Sequence, residues 1–433
     1  MVKTQKFGIH LMKNIIDTLE ERGLIDNSTW ERNAKLRTFL SVPRKVYAGF
    51  DPTAKSLHLG NLVTIVYLRW FQLHGHTPIA IVGGATGMIG DPSGKSMERP
   101  ILSKESLAEN LRGIGGNLEA ILDFDHPTAP AKILNNYDWF KEFSYIDFLR
   151  DIGKNFRLGP MLAKESVRSR LNSEEGMSYT EFSYQVLQAY DFLHLYDTEG
   201  AHIQVGGSDQ WGNITAGTEL VRKLRGDDVL GITFPLLTRS DGKKFGKSES
   251  GAIWLAGEML SPYEFYQYLY RTPDADATKL MRMLTFMDMD DIKTYSRQDL
   301  SPNTAQKRLA EEITRLVHGK EGLATALKVT AGATPGQHTS LDVATLEAIA
   351  NDMLSHTLLK EDVLEKKLVD IMATTKLVTS KGEARRLIRN GGIYINNVPV
   401  NDENRIITDD DLIEKRLFLL GIGKKKKTLI RVT

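Results

Sequence analysis

The sequence predicts an α/β protein built on a parallel sheet, followed by a helical stretch and a small basic α+β unit. Three observations predict it. Short apolar strands run into glycine-bearing turns at Val46 to Phe50, at Pro78 to Gly83 and at Ile203 to Val205. The first turn opens directly into an apolar-periodic helix, as strand–turn–helix units of parallel sheets do. Strand signals then stop near residue 260, giving way to helical periodicity up to Gly336 and to basic helices and a hairpin from Leu364 onward. The expected divisions are 1–260, 261–336, a linker with a weak helix over 337–363, and 364–433.

An amphipathic helix is expected over Ile9 to Leu24, with Ile15, Ile16 and Leu19 opposite Glu20, Glu21 and Arg22. Val46, Ala48 and Phe50 then alternate with Tyr47 and Gly49, and Asp51-Pro-Thr53 ends the strand because Pro52 cannot continue a ladder. From Leu59 the residues Leu62, Val63, Val66, Tyr67, Trp70, Phe71 and Leu73 follow helical spacing, which puts His58, Gly60 and Asn61 at the helix N-terminus. Unpaired N–H groups and the positive end of the helix dipole suit an anion there, phosphate above all. The alternative is that His58 merely caps the helix.

The strand from Pro78 ends in a long glycine-rich loop, Gly83 to Ser96. It is no Walker A motif, since that register puts Ile89 where a glycine belongs, and it lacks Gly-x-Gly-x-x-Gly. Tyr179 to Leu195 reads as a helix on which Tyr184, Gln188 and Asp191 share one face, either solvated or the wall of a polar pocket. Ile203 to Val205 runs into Gly206-Gly-Ser-Asp-Gln-Trp-Gly-Asn213, a turn at a strand's carboxyl end, where open parallel sheets bind ligands. A final strand is expected at Phe234 to Thr238, before the lysine-bearing loop Ser240 to Ser248. In the last unit, Lys381, Arg385, Arg386 and Arg389 lie on one helix and Lys424, Lys425, Lys426 and Lys427 near a strand. This suits contact with an RNA backbone; the plain alternative is a solvated face.

Of the 433 residues, 41% are hydrophobic and 26% charged, ordinary for a globular chain, and a formal net charge of +1 makes any polyanion site local. The absence of cysteine excludes disulfides, thiolate zinc sites and cysteine nucleophiles. The ten histidines show no tight ligand spacing, so no protein-bound metal is expected. No apolar run reaches membrane-spanning length, and the first residues lack a signal-peptide core.

Together these stretches resemble the bacterial-type tyrosyl-tRNA synthetases, class I aminoacyl-tRNA synthetases, over nearly the whole chain. His58-Leu-Gly-Asn61 is similar to the family's HIGH motif and Lys244-Phe-Gly-Lys-Ser248 to its KMSKS loop. Their order, with Tyr47-Ala-Gly-Phe-Asp-Pro-Thr53 before the first and the Gly206 turn between them, makes the likeness specific. The resemblance implies a Rossmann-like catalytic domain, an α-helical anticodon-side domain, and a small RNA-binding domain of the type first described in ribosomal protein four of the small subunit. It implies activation of tyrosine by ATP, with Mg2+ carried by the nucleotide, then transfer of the tyrosyl group to tRNA(Tyr). It places Thr53, His58, Lys95, Arg99, Lys244 and Lys247 at the reacting phosphates. Tyrosine would meet Tyr47 and Asp191 at its hydroxyl and Asp91, Tyr184 and Gln188 at its ammonium group, with Gln204 and Gln210 nearby. Gly49, Asp51, His58, Gly60, Asn61, Gly206, Asp209, Lys247 and Ser248 would hold the nucleotide. Asn61 departs from the motif's histidine, and Phe245 and Gly246 from Met and Ser, while both loop lysines remain. The resemblance also implies a homodimer in the bacterial cytoplasm, or in an organelle matrix after loss of a transit peptide. The competing readings are the tryptophan-specific relative and a non-catalytic RNA-binding or splicing-support protein on the same fold.

Overall fold

The computed structural model describes residues 13–93, 103–174, 176–242, 245–248, 251–297, 299, 301–332, 342–350, 354–423 and 426–433. Contacts divide the chain into two compact units, Met1–Leu260 with Tyr268–Val317, and Ser261–Gln267 with His318–Thr433.

The first unit is built on five parallel strands, β1 (Lys45–Phe50), β2 (Thr77–Val82), β3 (Lys132–Asn135), β4 (Ala201–Gly207) and β5 (Leu230–Phe234), in the order β3-β2-β1-β4-β5. The chain builds outward from β1 to β3 and then crosses back to the other side of β1. The carboxyl ends of β1 and β4 therefore flank the reversal, where ligands enter open sheets of this kind. Tyr47 on β1 sits level with Ile79 on β2 and Gln204 on β4.

Helix α1 (Leu59–Leu73) makes the crossover from β1 to β2 and buries Leu59, Leu62, Val63, Ile65, Val66, Tyr67, Leu68 and Phe71. Each of the larger aliphatic or Phe side chains contributes about 1.5–3 kcal/mol by burial, so the core anchors the helix and leaves its polar N-terminus free to face a ligand. Helix α2 (Tyr179–Glu199) starts where Ser178 Oγ accepts the Glu181 N–H at 3.2 Å and stops at Gly200, whose φ of 68° is left-handed. Its Val186, Ala189, Phe192, Leu193 and Leu195 pack in one cluster with Tyr47, Ile79 and Ile81. Helix α3 (Trp211–Arg225) follows β4.

Two sequence expectations shift, and one strand was not expected. The first helix runs Ile15–Glu21, started by Asn14 Oδ1 accepting the Ile16 N–H at 3.1 Å; the part expected before residue 13 lies outside the described residues. β5 occupies Leu230–Phe234 rather than 234–238, because Pro235 has no N–H to carry the ladder on. β3 carried no legible strand signal at all: every one of its four residues is only half-buried.

The second unit holds an antiparallel core of strands with one parallel edge. Its residues 354–358, expected in a linker, instead form the edge strand β8 (Leu354–Leu358), after a helix at Val343–Ala350. The remaining strands are β9 (Ile393–Ile395), β10 (Val398–Pro399), β11 (Leu417–Ile422) and β12 (Lys426–Val432), in the order β10-β9-β11-β12-β8. β8 pairs in parallel with β12, from Leu354 beside Thr428 to Leu358 beside Val432. The hairpin expected in this unit turns at Asn396 and Asn397, whose φ of 48° and 67° are the pair of positive angles a two-residue hairpin needs. The helix at Lys381–Arg389 stands where the sequence put it, capped by Ser380. The helical stretch expected from Leu364 onward begins at Leu368, because Glu365 adopts a positive φ of 60°.

Candidate active site

A cavity of about 300 Å3 opens at the carboxyl ends of β1 and β4, between the N-terminus of α1, the Tyr184 face of α2 and the segment Phe245–Gly246. In its depth lies Tyr47, 1% exposed, whose hydroxyl has no hydrogen-bond partner among the described residues. Asp191, 5% exposed, accepts from Trp139 Nε1 at 2.9 Å and Asn136 Nδ2 at 3.2 Å. Burial pushes the Asp191 carboxyl up to about 7, against the pull of those two donors, and the charge of Asp51 adds to the rise. Burial, with Asp191's charge, also holds the Tyr47 hydroxyl well above its ordinary value. The cavity thus ends in a neutral phenol beside a carboxyl group, a pair that can accept from and donate to one ligand hydroxyl.

Above this pair runs a ring of polar side chains. Gln210 Nε2 donates to Asp91 Oδ2 at 2.6 Å, Gln188 Nε2 to Gln210 Oε1 at 3.3 Å, and Asn213 Nδ2 to Gln188 Oε1 at 3.1 Å. Tyr184 Oη and Thr86 Oγ1 each donate to Asp51 at 2.9 Å, so Asp51 stands beside Tyr184 as well as at the end of β1. Two carboxylates held by neutral donors leave net negative charge suited to an ammonium group. Gln204 is buried and its Oε1 has no partner among the described residues. The helical face of Tyr184, Gln188 and Asp191 is therefore a pocket wall.

On the other side of the cavity Asn61 Oδ1 accepts the His58 N–H at 3.1 Å, which caps α1 and leaves the Asn61 amide nitrogen as a donor. A Cβ at Gly60 would stand 2.9 Å from His58 Cε1, so only glycine lets the imidazole fold over the helix end. Thr53 stands exposed at the rim, while Gly49, Gly206 and Asp209 line the same cavity. Lys247 and Ser248 are placed by their backbone, as β6 (Lys247–Ser248), paired antiparallel with β7 (Gly251–Ala252). Lys95, Arg99 and Lys244 lie outside the described residues. The lysine-bearing segment reaches the helix end nonetheless: a Cβ at Gly246 would come 2.9 Å from the Gly60 nitrogen, and the Leu59 N–H donates to Ile253 O at 2.7 Å.

Sequence reasoning missed Asn136 and Trp139, which orient Asp191, and Thr86 and Asn213, which orient Asp51 and Gln188. An Asn and a Trp just past the end of β3 were the available signal, unread because β3 itself was unread. Of the basic residues expected to meet RNA, Arg385 and Arg386 are exposed, Lys381 pairs with Asp370 at 2.7 Å, and Arg389 is held by Glu403. Lys427 turns inward instead: its Nζ donates to Asn397 Oδ1 at 3.2 Å, and burial pushes it down to about 8. Lys426 is placed by its backbone in β12, and Lys424 and Lys425 lie outside the described residues. Among the described residues no group of three or more His, Asp or Glu is placed to hold a metal ion, and no helix is long and apolar enough to cross a membrane.

Residues 14–332 match the family described as class I tRNA synthetases (W and Y), and residues 345–430 the tyrosine–tRNA ligase SYY-like C-terminal domain. The chain is 62% identical over 425 residues to a tyrosine–tRNA ligase of Protochlamydia amoebophila, covering 97% of this chain and 99% of that one. It is 50% identical over 431 residues to a chloroplastic/mitochondrial tyrosine–tRNA ligase of Arabidopsis thaliana, covering 97% and 84%. A C-terminally truncated mitochondrial tyrosyl-tRNA synthetase of Aspergillus nidulans is similar in structure, with a TM-score of 0.64 and 32% identity over 73% of this chain and 92% of that one. A cavity at the reversal of a parallel sheet, closed by Tyr47 and Asp191, and likeness along almost the full length agree: the chain belongs to the class I aminoacyl-tRNA synthetases, in the tyrosine–tRNA ligase family.

Proposed function

We propose that this tyrosine–tRNA ligase seats its amino acid with the phenolic hydroxyl between Tyr47 and Asp191 and the ammonium group among Asp91, Tyr184, Gln188 and Gln210. The observation that carries this is the Tyr47 hydroxyl, buried and without a partner among the described residues, next to a carboxyl group. Phenylalanine would leave the Tyr47 hydroxyl unmatched, at about 1–3 kcal/mol.

Seated this way, tyrosine points its carboxylate toward the N-terminus of α1. The carboxylate attacks the α-phosphorus of ATP, an oxygen–phosphorus bond forms, the bond to the bridging oxygen breaks, and pyrophosphate leaves with the electron pair. The carboxylate is already ionised, so no general base is needed. Charge gathers on the phosphoryl oxygens and the leaving group, so catalysis consists of positioning and electrostatic stabilisation. Thr53 and His58 face the α-phosphate at the positive end of the α1 dipole; Lys244, Lys247, Lys95 and Arg99 hold the pyrophosphate. Gly49, Asp51, Gly60, Asn61, Gly206, Asp209 and Ser248 line the nucleoside side. Mg2+ arrives with the nucleotide and offsets its phosphate charge. In the second step a ribose hydroxyl of the terminal adenosine of tRNA(Tyr) attacks the tyrosyl carbonyl, and AMP leaves.

The helices of 261–336 serve as the anticodon-side domain, and 364–433 grips tRNA through Arg385 and Arg386, with Lys381 and Arg389 at their sides. A homodimer is supported by the large apolar side chains that the segment 137–162 of the first unit exposes, among them Ile146 at 68%, Leu158 at 65% and Tyr145 at 61%. The enzyme works in bacterial cytoplasm, the alternative being an organelle matrix. Exchange of labelled pyrophosphate into ATP, run with each amino acid, tests the reading. Tyrosine-dependent exchange is expected; tryptophan dependence would assign the chain to the sister specificity, and no exchange in folded protein would leave an RNA-binding role.

A further inference from the structure

We infer that Tyr268 is a positioning residue for the adenylate-forming step, acting through the backbone of the Phe245–Ser248 segment. The inference rests on the reading that this segment carries the lysines that hold pyrophosphate. Tyr268 lies on the helix α4 (Pro262–Tyr270), and its hydroxyl accepts the Gly246 N–H at 3.1 Å. Its ring lies against Phe245, with centroids 5.4 Å apart and planes at 59°. Phe245 is 5% exposed and lines the cavity, so the contact is made at the wall of the site.

The geometry at Gly246 explains why one hydroxyl matters. Its φ is 91°, in the region other residues avoid, and its Cα stands so near the start of α1 that a Cβ would meet the Gly60 nitrogen at 2.9 Å and Leu59 Cβ at 3.3 Å. Backbone bonds hold either flank, from Phe245 N–H to Leu237 O at 2.8 Å and from Ile253 N–H to Gly246 O at 3.0 Å. The remaining backbone polar group of this residue, the Gly246 N–H, is taken by Tyr268. Lys247 is the next residue, so the placement of its backbone depends on both peptides of Gly246, the one before it held by Tyr268 and the one after it by the Ile253 N–H. The contact joins two protein groups, the Tyr268 hydroxyl and the Gly246 N–H, so it acts through the backbone of the segment.

Tyr268→Phe removes the hydroxyl and keeps the ring against Phe245. Rapid-quench measurement of tyrosyl-adenylate formation and of its reversal by pyrophosphate, with the tyrosine Kd from equilibrium dialysis and a thermal melt on the same protein, tests it. The expected result is a fall of about five-fold in both the forward and the reverse rate, the worth of one ordinary hydrogen bond. Tyrosine Kd and the equilibrium constant of the step stay unchanged, and the melting temperature falls by no more than the few degrees that one lost hydrogen bond costs the folded chain. Rates equal to those of the unsubstituted protein would overturn the inference. So would slower rates accompanied by a tyrosine Kd weakened by the same factor, which mark a general structural role. An unsubstituted protein that folds but forms no adenylate would overturn the underlying reading, and the inference with it.

Discussion

Replacing Tyr47 by Phe should strengthen the folded protein and weaken its grip on tyrosine, opposite signs from one lost oxygen. In the free protein the Tyr47 hydroxyl is buried with no partner among the described residues, while its ring packs edge-on against Phe192 with centroids 5.1 Å apart. A buried polar group left unmatched costs about 1–3 kcal/mol, and the substitution removes that cost while keeping the ring. Bound tyrosine loses one hydrogen bond of about 0.5–1.5 kcal/mol, a rise in Kd of roughly two- to twelve-fold. Phenylalanine never made the bond, so the preference for tyrosine over phenylalanine narrows by at least the same factor. Urea denaturation gives the stability change, and pyrophosphate exchange with each amino acid gives the specificity change. A variant that is less stable by more than about 1 kcal/mol, yet binds tyrosine as before, would show that the hydroxyl is spent inside the protein and not on substrate.

Asp191 gives a pH test: its folded value of about 7 lies above the ordinary carboxyl value, so the folded state holds its proton longer than the unfolded chain. The stability this contributes is full below the unfolded value and is lost as pH rises through about 7. Asp191→Asn should therefore gain stability over the unsubstituted protein as pH rises from 4 to 7 and hold that gain above it; urea midpoints across this range check the slope, and a gain that shrinks with pH would refute it. Gly246→Ala places a Cβ 2.9 Å from the Gly60 nitrogen at a φ of 91° and should slow adenylate formation by at least about ten-fold, with tyrosine Kd unchanged, as stopped-flow and dialysis would read. Arg170 and Glu181, both 3% exposed, form a bidentate pair at 2.9 and 2.8 Å at the start of α2. Arg170→Met alone should cost about 3–5 kcal/mol by leaving a buried carboxylate, and adding Glu181→Leu should recover most of it in the same denaturation assay.

The residues legible in sequence were those whose chemistry and backbone signal coincide. His58, Gly60 and Asn61 follow a proline-ended strand and begin an apolar-periodic helix, so both their location and their exposure to a ligand could be read. Tyr184, Gln188 and Asp191 shared a helical face, but sequence could not tell a solvated face from a pocket wall, since burial comes from β1 and β3 far away in the chain. β3 and β8 stayed hidden because partly exposed strands lack a sharp alternation of polar and apolar residues. With β3 went Asn136 and Trp139, whose donors fix Asp191. Lys427 looked like its lysine neighbours, and only the sheet pairing turns it toward Asn397.

A crystal structure with bound tyrosine tests the phenol site most directly. The phenolic oxygen should lie within hydrogen-bond distance of both Tyr47 Oη and an Asp191 carboxyl oxygen, with the ammonium group against Asp91, Tyr184 and Gln188. A ring turned so that its hydroxyl meets neither Tyr47 nor Asp191, or tyrosine seated outside this cavity, would contradict it.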